Sequence, residues 1–262
     1  MKTLAALYMQ PSHDQKDIVN IRKIIQDFIE PLGYAFEVDE KGNMFCFHPE
    51  SKCTNLLCSH MDMVKTGNPV DRIVHFDGLV FGIDKNNELT SCGADDKNGI
   101  WLCLQAAKHS GELPAMLFVA HEEGAPHSID DWLAVDENLA LLKSFDNCLV
   151  LDRANNQEII YAGSYKQYSH ALACQWKAVN PEWHFAKGIM CDADRLIEHI
   201  PCINLSIGYY NGHQVSEYSD LNELLETKRA LFKFLTSKKK DKINWNVIKE
   251  FENIKDAKKW QI

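Results

Sequence analysis

The sequence lacks the segments that mark membrane-spanning and secreted proteins. No stretch approaches the run of about 18 apolar residues from which a transmembrane helix is read. The residues from Met1 to Ala5 do not open a sustained apolar segment that ends in a small-residue cleavage site. The nine cysteines form no Cys-x-x-Cys pair, and several of them, such as Cys58 and Cys148, stand inside apolar runs as small buried hydrophobes do. We therefore expect a protein of the reducing cytoplasm that makes no membrane contact.

Positive charge is also scarce, because 28 Lys and Arg residues face 37 Asp and Glu residues, for a formal charge of −9. A surface of this kind repels polyanions, so we expect no nucleic-acid partner. The hydrophobic fraction of 45% and the charged fraction of 25% are those of an ordinary globular protein, and no repeat, low-complexity tract or linker interrupts the sequence. The length of 262 residues predicts one α/β domain over residues 1–262, with a helical extension over about residues 239–262.

Hydrophobic periodicity predicts the elements of this domain. Apolar residues recur at helical spacing in three segments, and short apolar runs separated by Gly and Asn or Asp predict paired strands. The predicted elements are helices over residues 16–30, 97–109 and 221–235, a hairpin of residues 34–38 with 43–47, and a pair of short strands over residues 73–76 and 79–81.

Several further apolar runs end in side chains that bind cations. In open α/β sheets, sites gather beyond the carboxyl ends of the strands, so these side chains should converge on one crevice. They include two histidines and several carboxylates, which are the donors that zinc accepts, and their number predicts a two-metal site. The runs are residues 56–58 before His60 and Asp62, 115–120 before Glu122 and Glu123, 147–151 before Asp152, and 203–207 before the loop of His213, while Asp95 precedes an apolar helix.

The spacing within two pairs of these side chains indicates a different role for each member of the pair. His60 and Asp62 are two residues apart at the end of a strand and point the same way, which predicts a metal ligand with the carboxylate that orients it. Glu122 and Glu123 are adjacent and point to opposite sides, so one can bind metal while the other faces the attacking water as general acid and base.

With these motifs in hand, the sequence resembles the dinuclear zinc exopeptidase superfamily, most closely its peptidase T, aminoacylase and carboxypeptidase G branch. The resemblance covers residues 55–220, and its strength lies in the order of five short motifs. The matching residues are His60-Met61-Asp62, Gly93-Ala94-Asp95-Asp96-Lys97, Glu122-Glu123-Gly124, Asp152, and Asn204-Leu205-Ser206-Ile207-Gly208 followed by Asn211, His213 and Glu217.

The resemblance implies an α/β fold with a mixed, mostly parallel central sheet flanked by helices on both faces. It implies Glu122 as general acid and base, with Asp62 fixing the His60 ring. Cobalt or manganese would also suit these ligands. The implied ligands are His60, Asp95 and Asp152 for one Zn²⁺ and Asp95, Glu123 and His213 for a second Zn²⁺, so that Asp95 bridges the two ions.

The sequence departs from this branch in one respect. A large lid and dimerisation domain usually follows the position of Asp152, but here only about fifty residues separate Asp152 from the last site strand. No lid or dimerisation domain is therefore expected, and the oligomeric state stays open. Because lid-less relatives are mostly aminopeptidases, we expect cleavage of a small peptide, with an N-acyl amino acid deacylase as the alternative. A catalytically inactive metal-binding module is the alternative from another class.

Two other acidic groups in the sequence have ordinary structural explanations. Asp96 supplies favourable negative charge at the start of a helix. Asp192 and Asp194 precede a short predicted helix and are expected to cap it.

Overall fold

The computed structural model describes residues 1–161, 166–188 and 191–237, whose main feature is a large twisted sheet. Its helices are α1 (Lys2–Tyr8), α2 (Gln15–Ile29), α3 (Ala94–His109), α4 (Ser128–Leu133), α5 (Asp136–Leu142), α6 (Lys166–Val179), α7 (Ala193–Leu196) and α8 (Leu221–Leu235). Its strands are β1 (Ala35–Val38), β2 (Met44–Phe47), β3 (Asn55–His60), β4 (Arg72–Phe76), β5 (Leu79–Ile83), β6 (Leu89–Thr90), β7 (Ala115–Val119), β8 (Asn147–Arg153), β9 (Glu158–Ile160), β10 (His184–Phe185), β11 (Cys202–Ser206), β12 (Tyr209–Tyr210) and β13 (Tyr218–Asp220).

Within the described residues, the main sheet has eight strands in the order β1-β2-β7-β3-β8-β11-β9-β10. The four central strands β7, β3, β8 and β11 are parallel, while β1, β2 and β9 join antiparallel to their inner neighbours. All four central strands therefore end at the same edge of the sheet. The predicted mixed, mostly parallel sheet is confirmed.

Both faces of the sheet are covered by helices, as predicted. Alternate residues of the central strand β3 enter two different cores: Leu57 belongs to the core that includes helices α1, α2, α3, α6 and α8, whereas Leu56 and Cys58 belong to the core that includes α4, α5 and α7. A strand that is buried on both faces has no polar alternation, which explains why the central strands are continuous apolar runs in the sequence. All six residues of β3 are buried, including Ser59 and His60.

Helix α3 lies unusually close to the sheet beside the end of β8. A Cβ atom built on Gly99 would lie 2.0 Å from the carbonyl oxygen of Leu151 and 2.3 Å from a carboxylate oxygen of Asp96. Only glycine permits this approach of helix to strand. The contact brings the first turn of α3 against the residue that precedes Asp152.

A second, smaller sheet carries strands from two distant parts of the chain. Among the described residues it has the order β12-β13-β5-β4, with β6 paired to β5. The predicted hairpin of residues 34–47, the strand pair of residues 73–81 and the helices over residues 16–30 and 221–235 are all confirmed. The predicted extension over residues 239–262 lies outside the described residues. No helix in the described part of the chain is long and apolar enough to cross a bilayer.

Candidate metal centre

The ends of the four parallel strands bring the predicted ligands into one cluster. His60 Nε2 lies 3.2 Å from Asp95 Oδ1 and 3.4 Å from Asp152 Oδ1. His213 Nε2 lies 2.8 Å from Glu123 Oε1 and 3.3 Å from Asp95 Oδ2. The two carboxylate oxygens of Asp95 thus face two different histidines, and side chains from four other segments meet around it.

Asp62 connects His60 to the loop that carries the two glutamates. Its Oδ1 lies 3.2 Å from His60 Nδ1, which is also 3.0 Å from the Asp62 carbonyl oxygen. The same carboxylate accepts backbone N–H bonds from Glu122 (2.9 Å) and Glu123 (3.1 Å). A histidine whose Nδ1 donates to such acceptors presents its Nε2 as an electron-pair donor. Asp62 therefore fixes both the His60 ring and the backbone of the glutamate pair.

The charges of the cluster perturb its titrating groups strongly. Burial disfavours the charged form of His60, yet its bonds to Asp152, Asp62 and Asp95 outweigh this cost and hold the pKa of His60 well above its usual value. Bonds to Asp95 and Glu123 raise the pKa of His213 to about 10. Protons on these two histidines thus supply the positive charge that the buried carboxylates require.

The carboxyl groups respond in two different ways. Burial and the nearby charges of Asp95 and Glu122 hold the pKa of Asp152 well above its usual range, in spite of the His60 contact. Burial also raises the pKa of Asp95, but its bonds to His213 and His60 prevail and leave that pKa low. Asp95 is therefore the anion that the two histidines share.

Among the carboxyl groups of the cluster, Glu122 is the one whose surroundings suit it to proton transfer. Burial raises the pKa of Glu122 first, and the neighbouring charges of Glu123, Asp95 and Asp62 raise it further against the effect of His60. A general base works best when its pKa approaches the operating pH. The arrangement moves Glu122 in that direction.

The donor set fits divalent cations. Among the described residues, two groups have ligand atoms within 4.8 Å of one another: His60, Asp96 and Asp152, and His60, Asp95 and Glu123. Imidazole nitrogens and carboxylate oxygens are the donors that zinc takes, and cations would replace the histidine protons as counter-charge for the buried carboxylates.

Asp96, although close to the cluster, is already bonded to protein donors. Its Oδ2 accepts bonds from the Ser59 hydroxyl (2.5 Å) and the His60 backbone N–H (3.0 Å), and its Oδ1 accepts from Gly99 N–H (3.1 Å). The side chain ties the start of α3 to the end of β3. Asp96 is therefore a buried connector between two elements, where the sequence predicts only favourable charge at a helix end.

Glu217, for which the sequence predicts no role, holds the backbone of Ala94 and Asp95 through buried hydrogen bonds. Glu217 is 2% exposed. Its Oε2 accepts from the Ser91 hydroxyl (2.7 Å) and Ala94 N–H (3.0 Å), and its Oε1 accepts from Asp95 N–H (3.3 Å). The only available signal was its place in the last motif, four residues after His213. Its partners lie more than a hundred residues away, and no local pattern reveals them.

The residues after Asp95 are anchored just as firmly. The Lys97 ammonium donates to the carbonyl oxygens of Gln10 (2.7 Å) and Cys92 (2.9 Å), and burial lowers the pKa of Lys97 to about 8. The Asn98 amide donates to the Ile207 carbonyl (3.0 Å) and to the Ser219 hydroxyl. These bonds fix the first turn of α3, and hence Asp95, against three other segments and the loop directly before the helix.

Solved structures of peptidases share this architecture. The chain superimposes on aminopeptidase PepT from Bacillus cereus with a TM-score of 0.71 at 14% identity, over 89% of this chain and 96% of that one. The fold is that of these peptidases. A tripeptidase from Staphylococcus aureus matches with a TM-score of 0.65 at 14% identity, over 89% and 96% of the two chains. The TET1 peptidase of Pyrococcus horikoshii matches with a TM-score of 0.60 at 16% identity, over 89% and 98%. The sequence itself matches no protein-family model and no curated protein.

Proposed function

We propose that this protein is a metal-dependent exopeptidase with a two-zinc site that removes amino-terminal residues from small peptides. The observation that carries the proposal is the position of Asp95, whose two oxygens lie 3.2 Å from His60 Nε2 and 3.3 Å from His213 Nε2. A carboxylate that faces two separate donor groups suits a bridge between two ions. The proposed ligands are His60, Asp95 and Asp152 for one ion and Asp95, Glu123 and His213 for the other.

The reaction needs a base beside the metal centre, and Glu122 supplies it in this proposal. Two zinc ions, when bound, would acidify the attacking water and polarise the scissile carbonyl. Glu122 accepts the proton that the water loses as its oxygen bonds to the carbonyl carbon. It then returns this proton to the amide nitrogen, so that the carbon–nitrogen bond breaks and a neutral amine leaves. Asp62 holds both His60 and the Glu122 backbone in place for these steps.

Several observations support an aminopeptidase over a deacylase. The solved structures with this fold are described as an aminopeptidase, a tripeptidase and a TET1 peptidase. About fifty residues separate Asp152 from strand β11, and we propose a single catalytic domain over residues 1–262 without a lid.

Cobalt or manganese would fit the same ligands. We keep the cytoplasm as the proposed location, since cysteines within the sheet such as Cys58 and Cys148 are free and buried.

The proposal is tested by amino-acid release from a peptide library with added zinc, cobalt or manganese. The variant Glu122→Gln keeps the size of the side chain and removes its basicity. We expect the turnover number to fall about 10²- to 10⁴-fold, the usual contribution of general acid–base catalysis, while the bound metal is unchanged. Metal content is measured by elemental analysis of the same samples.

The matched control is Glu112→Gln, which changes an exposed glutamate at the opposite end of strand β7 and should leave turnover unaltered. Equal turnover by wild type and Glu122→Gln would contradict the role of Glu122. Binding of two ions without release of any amino acid would contradict the peptidase and favour the inactive metal-binding module. If the protein releases amino acids from N-acylated amino acids but not from peptides, the deacylase is favoured.

A further inference from the structure

Asp192 stands out among the described residues as a buried carboxyl group with an unsatisfied oxygen. It is 3% exposed, and its Oδ1 has no hydrogen-bond partner there. The sequence predicts a helix cap at this position, and Asp192 does stand before α7, but its side chain makes no capping hydrogen bond. Burying an unpaired carboxyl group destabilises a protein, and such a group requires an explanation.

The position of Asp192 is next to the proposed metal centre. The amide of Asn204 at the end of β11 accepts a bond from the Asp152 backbone N–H (3.1 Å) and contacts Cys191 Sγ at 3.2 Å. The residue before Asp192 is thus one side chain away from Asp152. Burial, followed by the charge of Glu122, holds the pKa of Asp192 well above its usual range, and His60, Asp152 and Asp62 are the next strongest charges upon it.

Asp192 is not one of the five residues proposed to bind the two ions. Bound ions would neutralise Asp95, Glu123 and Asp152 and leave Asp192 without a cation. A peptide with a free amino terminus carries one, and in its first residue the α-ammonium is two covalent bonds from the scissile carbonyl carbon. A group that binds this ammonium must therefore lie beside the metal centre, which is where Asp192 lies.

We infer that Asp192 binds the α-ammonium group of the substrate and so selects peptides with a free amino terminus. This inference rests on the proposed function and names the substrate class of the same site. An N-acylated amino acid offers no cation and would leave the buried carboxylate unpaired. Asp192 is in this account a specificity residue, distinct from the ligands and from the base Glu122.

The test is a binding measurement that needs no turnover. Calorimetry on the zinc-supplemented protein compares L-leucinamide, which has a free amine, with N-acetyl-L-leucinamide, and every sample carries Glu122→Gln so that the amide of leucinamide is not cleaved. In Asp192→Asn we expect leucinamide to bind at least about 10-fold more weakly, because loss of one partner of a buried charge pair is costly. Binding of the acetylated compound should be weak and unchanged. Peptide hydrolysis by the same variant should show a higher KM and a smaller change in kcat.

The matched control is Asp194→Asn, which removes the same charge two residues along from a half-buried position beside Arg195. It should bind leucinamide as wild type does. Thermal unfolding without ligand should show Asp192→Asn about as stable as wild type, since asparagine has the same size and Asp192 Oδ1 has no hydrogen bond to lose. Asp192→Ser provides a second variant with the same expected loss of leucinamide binding if the asparagine does not fold.

The outcomes separate this inference from the function on which it rests. Equal binding of leucinamide to wild type and the Asp192 variants, or no preference of wild type for the free amine, would overturn the inference even if peptides are cleaved. Selective, Asp192-dependent binding of leucinamide without any peptide cleavage would support the amine site and contradict the peptidase.

Discussion

Buried carboxyl groups in this protein fall into two regions that differ in their partners. In the first, the support network of Asp96 and Glu217, each side chain accepts three hydrogen bonds from backbone N–H groups and serine hydroxyls. In the second, the centre around Asp95, the carboxylate oxygens face titratable histidines, and neighbouring anions are close. The first arrangement joins chain segments. The second leaves negative charge that a cation can neutralise.

The sharpest test of this contrast replaces two adjacent aspartates. Asp95→Asn should weaken zinc binding by more than about 100-fold, the upper range for residues that merely support a ligand, and should abolish turnover with the fold retained. Asp96→Asn should mainly lower stability, by about 1–3 kcal/mol, because one oxygen acceptor becomes an amide donor facing N–H or O–H groups. Zinc titration and urea unfolding of both variants measure the two effects. Equal loss of zinc affinity in both would remove the distinction.

A smaller effect is expected from the support network itself. Glu217→Gln replaces an acceptor of the Asp95 backbone N–H and should loosen Asp95, so that zinc affinity falls about 10- to 100-fold. The variant Glu223→Gln, which changes a part-buried glutamate bonded to Tyr210, is the control and should bind zinc normally. If Glu217→Gln binds zinc as tightly as wild type, Glu217 serves the fold alone.

The smallest expected effect is the pH dependence of stability without metal. A histidine in the unfolded chain titrates near pH 6.5, whereas bonds to Asp95 and Glu123 raise the pKa of His213 to about 10, and the pKa of His60 is also raised. The stabilisation from these protonated histidines is complete below about pH 6.5 and is lost as the pH rises toward 10. Asp152, with its raised pKa, contributes in the same direction.

We therefore expect the melting temperature of the metal-free protein to fall by a few degrees from pH 6.5 to 9, since 1 kcal/mol shifts it by about 2–4 °C at this size. Added zinc should stabilise more at the higher pH, because its ligands bind deprotonated. His213→Gln should flatten the profile of the metal-free protein, whereas the exposed His75→Gln should not. A metal-free profile that rises over this range would contradict the assigned pKa shifts.

The sequence predicts the strands that end at the centre because each is a continuous apolar run that leads into a polar side chain of the cluster or into the loop that carries one. The same logic places His60 and Asp62, whose spacing of two residues is local. It does not reveal the roles of Glu217 and Asp192. Glu217 acts on Asp95 across more than a hundred residues, and the pattern around Asp192 is that of an ordinary helix cap. The hydrogen bonds that explain the first residue, and the missing hydrogen bond that marks the second, become visible only when distant segments have packed together.

The proposal that Asp95 joins two ions is tested most directly by a crystal structure grown with zinc, with anomalous scattering recorded at the zinc edge. The account predicts two zinc peaks that share Asp95, one also bonded to His60 and Asp152 and the other to Glu123 and His213. A single peak, or two peaks without a common contact to Asp95, would contradict it.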